Sequence, residues 1–157
     1  MKKLILLITI LLCATSILAG CGDKKSSGSD SAASEETQMT AEEVVRQYFA
    51  YWQNRDQDSM DRLVIEDQQL EEDDPDVSLV TSLTLNSCMQ VADELKDEWD
   101  AELYPDPYDF AYVDVDFDIA FEGGEGAGYI DGNYQTRFYL VKESEDAGWK
   151  IVMWGLG

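Results

Sequence analysis

The sequence contains no histidine. Its absence removes Ser-His-Asp and Cys-His nucleophilic catalysis and leaves only carboxylates and thiols to hold zinc or another transition metal. Cysteine is scarce too, and beyond residue 21 only Cys88 remains, so a disulfide within the C-terminal part of the chain is excluded. Proline occurs at 75, 105 and 107 alone, and none of these falls inside an expected helix or strand. Basic residues are few: 11 Lys and Arg stand against 33 Asp and Glu, a formal charge of −22. From residue 37 onward the count is 7 against 29, so that region alone carries the whole excess. Such a balance argues against a nucleic-acid partner and against direct contact with anionic lipid. It leaves cationic partners open, although an acidic surface also serves solubility and gathers a loose counterion cloud. Long apolar runs are missing as well, apart from one near the start.

That run, residues 4–14, follows the positive Met1-Lys2-Lys3 and leads to Leu18-Ala19-Gly20-Cys21. The order of short basic region, apolar stretch, small residues and cysteine resembles a bacterial lipoprotein signal peptide with its lipobox. The resemblance implies a diacylglyceryl group on the Cys21 thiol, cleavage before it, and a further acyl chain such as palmitate on the new N-terminus. Two or more chains give stable anchoring where one is marginal. A retained transmembrane helix is the plainer alternative, but the run is at the short end of spanning length and an anchor needs no cysteine. Residues 1–20 are therefore expected to be the signal, with the mature protein extracytoplasmic and attached to the bacterial cell membrane through lipid on Cys21. Residues 21–38 hold the lipidated Cys21 and a Ser-rich, aperiodic stretch expected to act as a flexible tether. Cys13 would leave with the signal, and Cys88 reads as a small buried apolar residue.

Residues 39–157 suit one domain with a real core. Thr40-Ala41-Glu42-Glu43 is a capping box, and Val44, Val45, Tyr48, Phe49 and Trp52 share one helical face after it. Asn54-Arg55-Asp56 breaks that helix. Asp56 or Asp58 then caps a second one with Met60, Leu63 and Val64 inward. Gln68 to Asp76 reads as an acidic surface loop closed by Pro75. From Leu79 the period drops to two. Leu79, Leu83, Leu85, Met89 and Val91 share one face of a long strand, bulged or broken near Asn86. Asp93 to Tyr104, with Leu95, Trp99 and Leu103 at helical spacing, predicts a short amphipathic helix. Tyr112–Glu122 alternates cleanly, with Val113, Val115, Phe117, Ile119 and Phe121 opposite Asp114, Asp116 and Asp118. A glycine-rich turn, a strand over about 129–142 and a closing strand over 149–154 complete the chain. In the closing strand Trp149, Ile151 and Met153 face one way. The fold class is α+β, with N-terminal helices packed on one face of a strongly curved antiparallel sheet.

The opening Thr40-Ala41-Glu42-Glu43-Val44-Val45-Arg46-Gln47-Tyr48-Phe49, then Trp52 and Asp58-Ser59-Met60-Asp61, resembles the first two helices of a nuclear transport factor two-like domain. Asp131-Gly132-Asn133-Tyr134, Phe138-Tyr139-Leu140-Val141-Lys142 and Gly148-Trp149-Lys150-Ile151 are similar to the closing strands of uncharacterised small lipoproteins with that fold. Residues 68–76 and 93–109 match no pattern of the family. The resemblance implies a cone, a bent sheet wrapped round the first helix, often with a pocket at its wide end. Members include isomerases, dehydratases and cyclases as well as non-catalytic binding modules, and most lipid-anchored members have no assigned activity; the fold does not choose among them.

Candidate sites follow from these placements. Within a cone, Tyr48, Trp52, Tyr134, Phe138 and Met153 are the pocket-lining candidates, with plain core filling as the alternative; such a pocket would take a small apolar ligand. Enzymes of this fold often pair an Asp or His base with a Tyr donor, but no expected apolar face carries an acid, so no catalytic residue is assigned and an enzyme is not expected. Asp114, Asp116, Asp118 and Glu125 match part of a calcium-loop spacing. However, Ile119 stands where that loop needs glycine, and strand alternation makes these aspartates a solvated face. No cofactor is expected. The leading expectation is a non-catalytic binding or interaction domain. Its alternatives are a Tyr/carboxylate acid–base enzyme and an acidic module for a cationic protein or calcium.

Overall fold

The computed structural model describes residues 38–95 and 99–155. Cys21, the signal and nearly all of the tether lie outside the described residues. The domain is α+β, with one four-stranded antiparallel sheet and short helices.

The capping box forms as its residues dictate. The Glu43 N–H donates to Thr40 Oγ1 at 3.2 Å, and the Thr40 N–H donates to the Glu43 carboxylate at 2.7 Å. These bonds start helix α1, Ala41–Gln53, and hold the Glu43 carboxyl below the usual carboxylate range. A helix of this length is marginal by itself. What sustains it is the burial of Val44, Val45, Tyr48, Phe49 and Trp52, each such side chain contributing about 1.5–3 kcal/mol. Arg55 ends it in the left-handed region at φ 57°. Asp56 caps α2, Gln57–Asp61, by accepting from the Ser59 N–H at 3.2 Å and the Ser59 hydroxyl at 2.6 Å. Only one turn of this second helix forms. The chain then extends so that Val64 bridges Ile151 in parallel, with Ile151 exchanging 2.9 Å backbone bonds with Leu63 and Ile65.

The strands are β1 Val80–Gln90, β2 Asp109–Phe121, β3 Gly132–Lys142 and β4 Lys150–Gly155, paired in sequence order as a meander. Helix α1 lies against one face. The Phe49 ring stands 5.0 Å from Phe117 and 5.7 Å from Phe138, and Tyr48 stands 5.8 Å from Phe138.

Bulges bend the sheet and reset its faces. In β1 the register slips at Thr81 and again at Asn86. The period-two face expected from Leu79 to Val91 is therefore corrected: Val80, Leu83 and Cys88 are buried, while Met89 is 63% exposed. In β4, Leu140 pairs with Ile151 but Tyr139 pairs with Met153, leaving Val152 as the extra residue. Both Ile151 and Val152 are buried, and the phase of every residue after them is reversed. The amphipathic helix expected over 93–104 is also corrected. Asp93–Leu95 is a 3₁₀ turn, residues 96–98 lie outside the described residues, 99–100 are irregular, and 101–104 turn the chain. The Asp100 carboxylate accepts the Glu102 N–H at 2.9 Å and its carbonyl accepts the Leu103 N–H at 3.0 Å, a local alternative to helix. Trp99 lays its ring over Tyr112 on the sheet's outer face.

Candidate functional site

A cavity of about 330 Å³ opens at one end of the sheet, beside the C-terminal half of α1. Its walls come from seven places in the sequence. Helix α1 supplies Tyr48 and Trp52, and α2 supplies Met60. The 68–76 connection supplies Leu70, and the turn after it supplies Asp76 and Val77. The glycine-rich turn supplies Gly128 and Tyr129, β3 supplies Tyr134 and Thr136, and β4 supplies Trp154 and Gly155.

The 68–76 connection was expected to be a plain surface loop, but it ends in a short helix, α3 Pro75–Ser78. Proline at its first turn needs no N–H partner, and Asp74 caps it by accepting the Asp76 N–H at 2.8 Å. The cap turns Asp76 toward the core. The Asp76 carbonyl accepts the Trp52 indole N–H at 2.5 Å. Its carboxylate accepts the Ala127 N–H at 2.8 Å and the Gly128 N–H at 2.9 Å. Asp76 thus fastens the glycine-rich turn over the cavity. Glycine is required there, because a Cβ on residue 126 would stand 2.1 Å from Asp76 Oδ1 and 2.9 Å from Phe121.

Of the residues singled out in the sequence, Tyr48, Trp52 and Tyr134 are together in this cavity. Phe138 is not a lining residue; it is buried behind Tyr48 as core. Met153 does not line the cavity either, because the Val152 bulge pairs it with Tyr139 on the outer face and brings Trp154 inward opposite Phe138. Sequence reasoning missed Asp76, Tyr129 and Trp154. The Asp74-Pro75 pair was a legible helix-start signal for the first. Nothing local marked the other two.

Most polar groups in the walls are already engaged. The Tyr134 hydroxyl donates to the Ile130 carbonyl at 3.0 Å and accepts the Ile130 N–H at 3.1 Å. The Thr136 hydroxyl donates to the Gly155 carbonyl. Tyr129 accepts a hydrogen bond from Trp154, yet burial pushes its phenol up to about 12. Tyr48 is raised further, by burial first and then by the charges of Tyr129, Asp61, Asp74 and Asp76. Both phenols therefore stay protonated at neutral pH, as donors and not bases. The nearest carboxylate, on Asp76, is tied to two backbone N–H groups. The arrangement presents an aromatic surface with one carboxylate, that of Asp76, in its wall.

The outer-face aspartates are occupied by neighbours. Asp114 accepts from Arg137 at 2.6 and 2.9 Å. Asp116 accepts from Asn86 at 2.8 Å, Asn133 at 2.9 Å and Gln135 at 3.0 Å, and these amides lower its pKa. Asp118 accepts from Asn86 at 2.8 Å. Among the described residues no group of three or more His, Cys, Asp or Glu is arranged to hold a metal ion. Cys88 is buried, and desolvation raises its thiol to about 11, which makes it a poor nucleophile.

Residues 42–155 match a family described as a domain of unknown function (DUF4829). No curated protein and no solved structure matches the chain.

Proposed function

The chain belongs to the DUF4829 family, whose description names no activity, and we propose that it is a non-catalytic binding domain that takes a small ligand into its aromatic cavity. In this reading the domain has a nuclear transport factor two-like cone, and it works outside the cytoplasm, held to the bacterial cell membrane by lipid on Cys21. The observation that carries the binding role is the cavity itself, about 330 Å³ and walled by Tyr48, Trp52, Tyr129, Tyr134 and Trp154. That volume lies at the small end of ligand pockets. An Asp76 carboxylate already accepting two backbone N–H groups supports binding over acid–base chemistry. The cone reading is supported by a bulged antiparallel meander with α1 packed on one face.

The test uses N-phenyl-1-naphthylamine, a neutral aromatic dye that brightens on leaving water. The expected result is saturable one-to-one binding that is lost in Leu70→Trp, where a large ring fills the cavity from its half-buried rim. Dye that fails to bind the wild type, or binds the filled variant equally well, overturns the reading.

A further inference from the structure

We propose that the ligand of this cavity is a small alkylated ammonium ion, a choline-like cation, gripped by an aromatic cage under an acidic rim. The inference rests on the binding role above and names the ligand class for the same site.

The first ground is the disposition of the rings. Tyr129 and Tyr134 meet nearly at right angles, 87° with centroids 5.0 Å apart. Tyr129 and Trp52 are inclined at 58° and 5.7 Å, and Tyr48 and Trp154 at 50° and 5.7 Å. The rings of these pairs are inclined instead of stacked flat, and all five line the same cavity. The negative face of an aromatic ring attracts a cation, most strongly where water is excluded.

The second ground is charge. Among the described residues no Lys or Arg lines the cavity, while Asp76 does. The charges of Asp61 and Asp74 also act on the Tyr48 phenol at its wall. The 22 excess negative charges of the chain deepen this field at longer range. An anionic ligand would enter against all of it, and a neutral one would make no use of it.

The third ground is the hydrogen-bond inventory. The two indoles offer no acceptor, the Tyr134 hydroxyl is engaged with Ile130 as both donor and acceptor, the Thr136 hydroxyl donates to the Gly155 carbonyl, and the Asp76 carboxylate already accepts two backbone N–H groups. A primary ammonium would lose its water and find few acceptors to replace it. A fully alkylated ammonium has no N–H to satisfy and presents methyl groups to the ring faces. The same chemistry occurs in free choline and in a phosphocholine lipid headgroup.

Isothermal titration calorimetry of the intact domain tests this with three probes: choline chloride, its uncharged carbon isostere 3,3-dimethyl-1-butanol, and dihexanoylphosphatidylcholine below its micelle concentration. Choline or the phosphocholine lipid is expected to bind at least roughly tenfold more tightly than the isostere. Whichever of the two binds identifies the source. Asp74→Asn, which keeps the cap acceptor of α3 and removes a charge, is expected to weaken the cation several-fold and leave the isostere unchanged. Equal binding of cation and isostere, or no cation binding by a protein that still takes N-phenyl-1-naphthylamine, overturns the cage while leaving the cavity a binding site. Failure of the dye as well overturns the binding role itself.

Discussion

Asp74 shows how one side chain both builds the site and strains it. Its carboxylate caps α3 at the Asp76 N–H, yet burial, and then the neighbouring Asp76, Glu71 and Asp61, raise its pKa. An acid whose folded pKa exceeds its unfolded value costs stability above the folded pKa. That cost vanishes as pH falls below the unfolded value. Glu43 and Asp116, both lowered by hydrogen bonds, have the opposite sign. They add stability above their unfolded pKa and lose it as pH drops through the folded one. Asp74→Asn retains a side-chain acceptor suited to an N-cap. It is therefore expected to melt above the wild type at pH 7, with the difference shrinking toward about pH 4 and below. Scanning calorimetry at several pH values checks this, and a pH-independent difference would contradict it. The Asp74-Pro75 signal and the nearby Glu71 and Asp76 were legible in the sequence; the approach of Asp61 was not, because it comes from α2.

Among the elements, α1 was the most legible; the break expected near Asn86 forms as a bulge in β1, whereas the Val152 bulge in β4 was not expected. A capping box and a five-residue apolar face specify a helix from sequence neighbours alone. A bulge depends on what the partner strand offers. Asn86 lies out of register, and its amide bridges Asp116 and Asp118 across the pair, residues remote in sequence. The Val152 bulge has the larger consequence, since it exchanges Met153 for Trp154 in the cavity wall. The glycine-rich turn is likewise set by a tertiary contact. At Gly126 the Asp76 carboxylate lies where a Cβ would be, 2.1 Å away. Gly126→Ala is expected to cost about 1–3 kcal/mol, as overpacking does, and to release Tyr129 from the cavity wall. Urea denaturation gives the first quantity, and weakened dye binding by the folded variant reports the second. A variant as stable as the wild type with unchanged binding would show that the turn is not held by Asp76.

For the whole molecule, a charge of −22 makes the domain a poor membrane binder on its own, since anionic headgroups repel it. Attachment would then depend on acyl chains at Cys21, two or more of which suffice where one does not. Cys21→Ser is accordingly expected to leave an uncleaved precursor that incorporates no labelled palmitate in cells. Normal incorporation would remove the anchor from the picture. By itself the sequence determined what depends on neighbours along the chain or on totals: the α+β class, the first helix and its cap, the alternation of β2 and the acidic surface. Only the tertiary structure decided which side chains share the cavity. Its walls come from residues 48 to 155, and the Val152 bulge, a short capped helix and a glycine turn set their facing. The Val152 bulge and the close approach of Asp76 to Gly126 are selected by contacts between segments far apart in the chain, so no local pattern encodes them.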